Sequence, residues 1–284
     1  MRIDAHQHFW KYDPARDAWI TEEMSAIRRD FLPEHLASEC AANGIDATVA
    51  VQADQSENET IFLLKLAERN PMIAGVVGWV DLCSPRVAER LGFFSRCGKL
   101  CGFRHIAQAE PDERFLVRDD FVNGVKCLRE FDFTYDILIY PKQLPAALEL
   151  VAMLPEQRFV IDHMAKPEIR MGWHEEWAAQ MRAIAQNQNV YCKISGMVTE
   201  ADWYSWKNAD FDRYLDVVFE EFGAERLMFG SDWPVYLVAA SYGQVKRIVE
   251  EYVDAHAPPA REKIFGGTAM EFYGLKTVQH GLTA

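Results

Sequence analysis

The chain has 284 residues, of which 49% are hydrophobic and 26% charged, with a formal net charge of −13. A chain of this length buries about three quarters of its unfolded surface, so a large core forms without disulfide or metal staples. The negative balance argues against nucleic acid and against an anionic membrane as partners, since both need clustered Lys and Arg, but it leaves room for a few cations in one cleft.

The start, Met1-Arg2-Ile3-Asp4-Ala5-His6, lacks the apolar run of roughly 7–15 residues that an export signal needs. No later stretch approaches the roughly 20 apolar residues of a membrane span. Short apolar runs rich in β-branched and aromatic residues fall at 1–5, 47–52, 73–80, 100–104, 135–140, 158–162, 190–194 and 227–229. Near-continuous apolar runs of this kind are expected of strands covered on both faces. Segment 9–31, rich in aromatics, reads as an excursion across the mouth of the fold. Pro33 opens a helix at its first turn and Asn43-Gly44 closes it. Ser56 followed by Glu59 is a capping box, and Asn70-Pro71 stops that helix. Ser84-Pro85 starts the next, and 173–187, 211–222 and 242–256 read as later amphipathic helices. The tail 275–284 reads as frayed.

Strand and helix alternating eight times predict an α/β fold, a single (β/α)8 barrel of the TIM type. An open doubly wound sheet would place a glycine-rich phosphate loop after the first strand, where Ala5-His6-Gln7-His8 stands instead. The six cysteines, at 40, 83, 97, 101, 127 and 192, show no CxxC spacing and read as reduced thiols of a cytoplasmic protein.

Three strand ends carry chemistry. His6 and His8 alternate onto one face of the first strand, at the end where barrel enzymes build their sites. The sixth strand ends in Asp162-His163, with Lys166 three residues on, and the eighth runs into Gly230-Ser231-Asp232-Trp233-Pro234. Imidazoles ligate metals or polarise carbonyls, and a rim carboxylate can take a proton from water.

With these residues the chain resembles the amidohydrolase superfamily, whose hallmark is HxH after strand one, later rim histidines and one Asp after strand eight. The likeness is closer to the amidohydrolase family 2 branch, and within it to lactonases of the L-fucono-lactone and L-rhamnono-lactone type. Ile3-Asp4-Ala5-His6-Gln7-His8-Phe9-Trp10, Gly102-Phe103-Arg104-His105, Asp162-His163-Met164-Ala165-Lys166-Pro167, Lys193-Ile194-Ser195-Gly196, Phe229-Gly230-Ser231-Asp232-Trp233-Pro234 and Gly266-Gly267-Thr268-Ala269 carry it. The resemblance implies ring-opening hydrolysis of a neutral sugar lactone. Asp232 is then the base on water, and His6, His8 and His163 polarise the carbonyl. Binuclear relatives bridge two metals with Lys or Glu from a middle strand, but strand four ends in Arg104-His105 and strand five in Tyr140-Pro141. At most one divalent ion is therefore expected, zinc by ligand type, on His6, His8, His163 and Asp232; a metal-free site is equally compatible. Arg104, His105, Lys166, Gln52, Trp79 and Trp233 are candidate sugar contacts, His105 foremost, and Trp10 and Trp19 candidate stacking surfaces. Open alternatives are a metal-dependent decarboxylase of the same branch, a dicarboxylate lactonase, which would want several converging arginines, and a non-catalytic sugar-acid binder. A homo-oligomer is compatible with the sequence.

Overall fold

A computed structural model describes residues 1–276. Eight parallel strands lie side by side in chain order: β1 (Ile3–Gln7), β2 (Ala47–Val51), β3 (Ile73–Gly78), β4 (Leu100–His105), β5 (Thr134–Ile137), β6 (Phe159–Ile161), β7 (Val190–Ile194) and β8 (Leu227–Phe229). Around them run α1 (Pro33–Asn43), α2 (Glu57–Arg69), α3 (Val87–Phe94), α4 (Asp119–Leu128), α5 (Leu144–Met153), α6 (Glu175–Ala185), α7 (Met197–Glu200), α8 (Asp212–Phe222), α9 (Tyr242–His256) and α10 (Thr268–Tyr273). The architecture is a (β/α)8 barrel of the TIM type. The last strand meets the first through a parallel bridge between Gln7 and Trp233, where the His8 N–H donates to the Trp233 carbonyl at 2.7 Å and the Asp232 N–H to that of His6 at 2.8 Å. The residues that close the barrel are thus neighbours of the residues that carry the chemistry.

The predicted caps form. The Ser56 hydroxyl accepts from the Glu59 N–H at the start of α2, and Ser241 with Gln244 makes a capping box on α9. Boundaries move by a few residues. β1 runs two residues beyond the expected end, so His6 lies inside the strand, and α3 begins at Val87 instead of Ser84-Pro85. The sequence reading named no helix for α4 or α5, although Phe121, Val125 and Leu128 of α4 bury a helical stripe against the barrel.

The main core fills the space between strands and helices, while a smaller cluster of Ile3, Val49, Val51, Val77 and Val160 packs with Phe272 and Tyr273 of α10. This helix plugs the end of the barrel remote from His6. Residues 9–31 form an excursion pinched shut at its base, where Trp10 and Phe31 exchange two main-chain hydrogen bonds of 2.9 Å. The expectation of a frayed tail falls largely on residues 277–284, which lie outside the described residues. Among the described residues no helix is long and apolar enough to cross a membrane.

Candidate active site

The pairing of β1 with β2 is irregular between Asp4 and Gln7. Such irregularities re-aim side chains beside sites. Asp4 turns away from the centre to accept from the Ser231 N–H (2.8 Å), the Ser231 hydroxyl (2.5 Å) and the Tyr242 hydroxyl (2.8 Å). Buried completely, it clamps β1 to the segment after β8. A Cβ at Gly230 would come within 2.6 Å of the His6 Cβ, so glycine there is what lets that segment close on His6. Asp232 follows at a left-handed φ of +65°.

Three imidazoles converge on one carboxylate oxygen. Asp232 Oδ1 lies 3.4 Å from His8 Nε2, 3.9 Å from His6 Nε2 and 3.9 Å from His163 Nε2, while the Nε2 atoms of His6 and His8 are 3.2 Å apart. All four residues are at least nine-tenths buried. Burial drives the three imidazoles toward their neutral forms: it lowers His8 and His6, the latter helped by Lys193, and brings His163 to about 4. Burial also pushes the Asp232 carboxyl up, but its surroundings, His163 first, outweigh burial and leave Asp232 below its ordinary value, hence ionised. His8 Nδ1 lies 2.8 Å from the Val51 carbonyl, which can only accept, so that nitrogen carries the proton and Nε2 offers a lone pair to the centre. His163 Nδ1 meets the Ser195 hydroxyl at 2.9 Å, and a hydroxyl serves either tautomer.

The donor set fits a divalent cation. The ligand atoms of His6, His8 and Asp232 lie within 4.8 Å of one another, and His163 groups instead with His6 and Asp162. Neutral imidazoles oriented by a carbonyl or hydroxyl behind them, plus one carboxylate, are what zinc and similar ions take. The expected four-residue set thus gathers around Asp232 but falls into two overlapping groups that share His6.

Beneath the centre sits a buried ionic layer. Lys193 Nζ lies 2.6 Å from Asp136, 2.9 Å from Asp162 and 3.1 Å from His6 Nδ1, and Arg104 lies 3.0 Å from Asp162 and 3.3 Å from His6 Nε2. Tyr273 of α10 donates to Asp136 at 2.8 Å. Burial raises Asp136 to about 6 even against Lys193. Burial pushes Asp162 up as well, but Lys193 and the neighbouring His6 and Arg104 hold it well below its ordinary range. Two cations and two carboxyls offset each other around His6, which explains how so much charge is tolerated inside a barrel.

After β6 the chain makes a left-handed turn. His163, Met164, Ala165 and Lys166 have φ of 53°, 53°, 56° and 49°, closed by the Lys166 N–H on the His163 carbonyl at 2.8 Å. Left-handed helical backbone costs L-residues roughly 1–2 kcal/mol each. Burial of Met164 and Ala165, and the Trp177 indole N–H on the Met164 carbonyl at 2.8 Å, hold the turn against that cost. Residues i and i+3 of a three-residue turn eclipse one another, so His163 and Lys166 share one face.

Above Asp232 opens a cavity of about 480 Å³. Its walls include His8, His163, Asp232, Arg104 and Lys166, together with Trp19, Met24, Gln55, Gln108, Tyr140, Glu200 and Trp203.

An amidohydrolase family model matches residues 3–275 of the chain. The chain belongs to the amidohydrolase family. This amidohydrolase is 42% identical to the L-fucono-1,5-lactonase of Burkholderia multivorans, over 97% of this chain and 96% of that protein. It is 37% identical to the L-fucono-1,5-lactonase of Burkholderia ambifaria, over 96% and 95% respectively. A crystal structure of a Burkholderia multivorans amidohydrolase with bound zinc superposes with a TM-score of 0.94 at 41% identity, covering 97% of this chain and all of that one.

The amidohydrolase barrel sorts the expected sugar contacts. Arg104 and Lys166 line the cavity. Four others are not among its lining residues. Gln52 is fully buried beneath the rim and clamps Arg104, accepting from its guanidinium and donating to its carbonyl at 3.0 Å. His105 pairs with Glu110 at 2.7 Å and stacks on Phe115 outside the cavity. Trp79 turns its indole nitrogen to His105 at 3.4 Å. Trp233 packs edge-on against Phe9 and Phe31. Trp10 is likewise structural, bonded to the Arg29 carbonyl, whereas Trp19 is 44% exposed and lines the cavity. The sequence reading did not single out Asp4, Asp136, Gln108 or Glu200 for the site. Gln108 and Glu200 stand in no pattern that separates them from ordinary surface residues, whereas Asp4 and Asp136 each interrupt an apolar strand run.

Proposed function

We propose that this protein hydrolyses a sugar-acid lactone of the L-fucono-lactone type, opening the ring to the free acid. The observation that carries the reading is one ionised carboxylate, Asp232, ringed by three neutral imidazoles at the floor of a cavity of sugar size. Its 42% identity to an L-fucono-1,5-lactonase over nearly the full chain supports the choice of substrate class.

Asp232 takes the proton from a water that attacks the lactone carbonyl, and returns it to the ring oxygen as the C–O bond breaks. The carbonyl oxygen gains negative charge in the transition state and needs preorganised donors. His8 spends its only N–H on Val51, so it does not serve as that donor; Arg104 is a permanent donor on the cavity wall, and His163 can present Nε2–H when Ser195 donates to Nδ1. His6, His8 and Asp232 would hold a single divalent ion, zinc by donor type, with His163 beside them. Such an ion supplies Lewis-acid polarisation of the carbonyl.

A dicarboxylate lactone would need several cations converging on its carboxylates. Arg104 and Lys166 are the Lys and Arg side chains among the cavity's described lining residues, and Glu200 lies beside Lys166. The lining favours a neutral polyol ring. The six cysteines are free thiols, which supports a reducing, cytoplasmic setting.

A pH-indicator assay over a panel of aldonolactones, corrected for spontaneous opening and run with and without a chelator, tests the reading. Hydrolysis of at least one lactone well above background is expected. No hydrolysis of any would overturn it, whereas full activity after demonstrated metal removal would overturn the metal assignment alone.

A further inference from the structure

We propose that Lys166 and Glu200 act as a pair that reads the ring hydroxyls of the substrate and so sets which sugar lactone is accepted; this rests on the lactonase reading above. Both side chains line the cavity over Asp232, and each retains just under a fifth of its exposure. Lys166 Nζ lies 3.7 Å from Glu200 Oε1, a distance at which charge holds the pair while the hydrogen-bonding capacity of both groups stays available. A carboxylate accepts from two neighbouring hydroxyls and an ammonium donates to their oxygens, so the pair complements a diol, whose O–H groups both donate and accept.

Two separate main-chain devices fix this pair relative to the reacting centre. Lys166 stands three residues after His163 on the same face of the left-handed turn, which is the structural return on holding four successive residues at positive φ. Glu200 ends α7, and α7 starts after Gly196, where a Cβ would lie 2.7 Å from His163 Nδ1. Both readers are therefore referenced to His163 from opposite chain segments. A third polar group supports the assignment: Gln108 lines the same cavity, and its Oε1 is buried without a hydrogen-bond partner among the described residues. A buried acceptor left unpaired is costly unless a ligand donor satisfies it. Trp19, Met24 and Trp203 give the cavity an apolar side, so a sugar ring meets a polar wall and a nonpolar one.

The test measures kcat and KM of the wild type, Glu200→Gln and Lys166→Met on aldonolactones that differ pairwise in the configuration of one ring hydroxyl. The wild type is expected to separate its best lactone from at least one such epimer by about tenfold or more in kcat/KM, as sites that hydrogen-bond substrate hydroxyls do. Each variant is expected to lose about tenfold on the best lactone, chiefly in KM, and to shrink that ratio to within about threefold. Equal loss of kcat on both epimers, an unchanged ratio in both variants, or a wild type that does not distinguish epimers would overturn the proposal. Lys166→Met supplies the readout from a second chain segment should Glu200→Gln not fold. A wild type that opens no lactone at all is a different result and removes the lactonase reading instead.

Discussion

His8 differs from its two neighbours in having its Nδ1 tied to a group that can only accept, and the fixed tautomer dictates what it can do. With the proton on the Val51 side, its Nε2 is a lone pair facing Asp232. His163 rests on a hydroxyl and can reverse its tautomer. Ser195→Ala is therefore expected to leave the fold intact and lower kcat by about tenfold, because His163 loses the partner that orients it; unchanged kcat would show that Ser195 does not govern the ring. At this scale the sequence was informative wherever a reactive residue sits at a strand end. His6, His8, His163 and Asp232 stood out because each terminates an apolar run. Glu200 and Gln108 did not, since a carboxylate at the end of a four-residue helix and an amide in a single 3-10 turn look like any solvated surface. Trp79, Trp233 and Trp10 sit close to the site in sequence and spend their surface on packing, on a main-chain carbonyl or on His105.

Turns and helix starts decide how closely the elements approach one another. Gly196 combines a φ of +67° with contact against His163, whereas Gly223 has a φ of +66° and open space around it. Replacing each with Ala separates backbone strain from collision. Gly223→Ala is expected to cost about 1 kcal/mol and leave kcat unchanged, while Gly196→Ala costs about 1–3 kcal/mol and lowers kcat as well. Urea unfolding and steady-state rates check both; equal effects of the two substitutions would contradict the contact. At the head of α2, Glu59 is buried and burial raises its carboxyl from 4.5 to about 7. The folded state then binds a proton that the unfolded state has released. Stability from this group is complete below about pH 4.5 and is lost as pH rises to about 7. Glu59→Gln is expected to match the wild type at pH 5 within about 1 kcal/mol and to exceed it at pH 8 by on the order of 3 kcal/mol. A constant difference across that range would contradict the shift. The Ser56 cap of the same helix was legible because the capping pattern is local; α4 and α5 start after Arg118 and Gln143 with no side-chain cap, although Pro145 stands in the first turn of α5 as Pro33 does in α1.

The whole molecule is a closed ring in which the eighth strand returns to the first, and the ring makes distant strand ends into one site. Counting eight apolar runs was enough to predict this ring, since strands covered on both faces are near-continuously hydrophobic. The charged layer inside was not legible. Arg104, Asp136, Asp162 and Lys193 each look like an interruption of a strand or its end, and only closure shows that they offset one another. Lys193→Met leaves Asp136 and Asp162 buried with their cation removed, and should destabilise the protein by about 3–5 kcal/mol in urea unfolding. A loss under 1 kcal/mol would mean that the layer does not depend on Lys193. The proposed catalysis turns on Asp232, and the most direct test is the kcat of Asp232→Asn on the lactone that the wild type opens fastest, with spontaneous opening subtracted. A fall of about a thousandfold, with affinity for the product acid retained, is the predicted result. Turnover within tenfold of the wild type would contradict it.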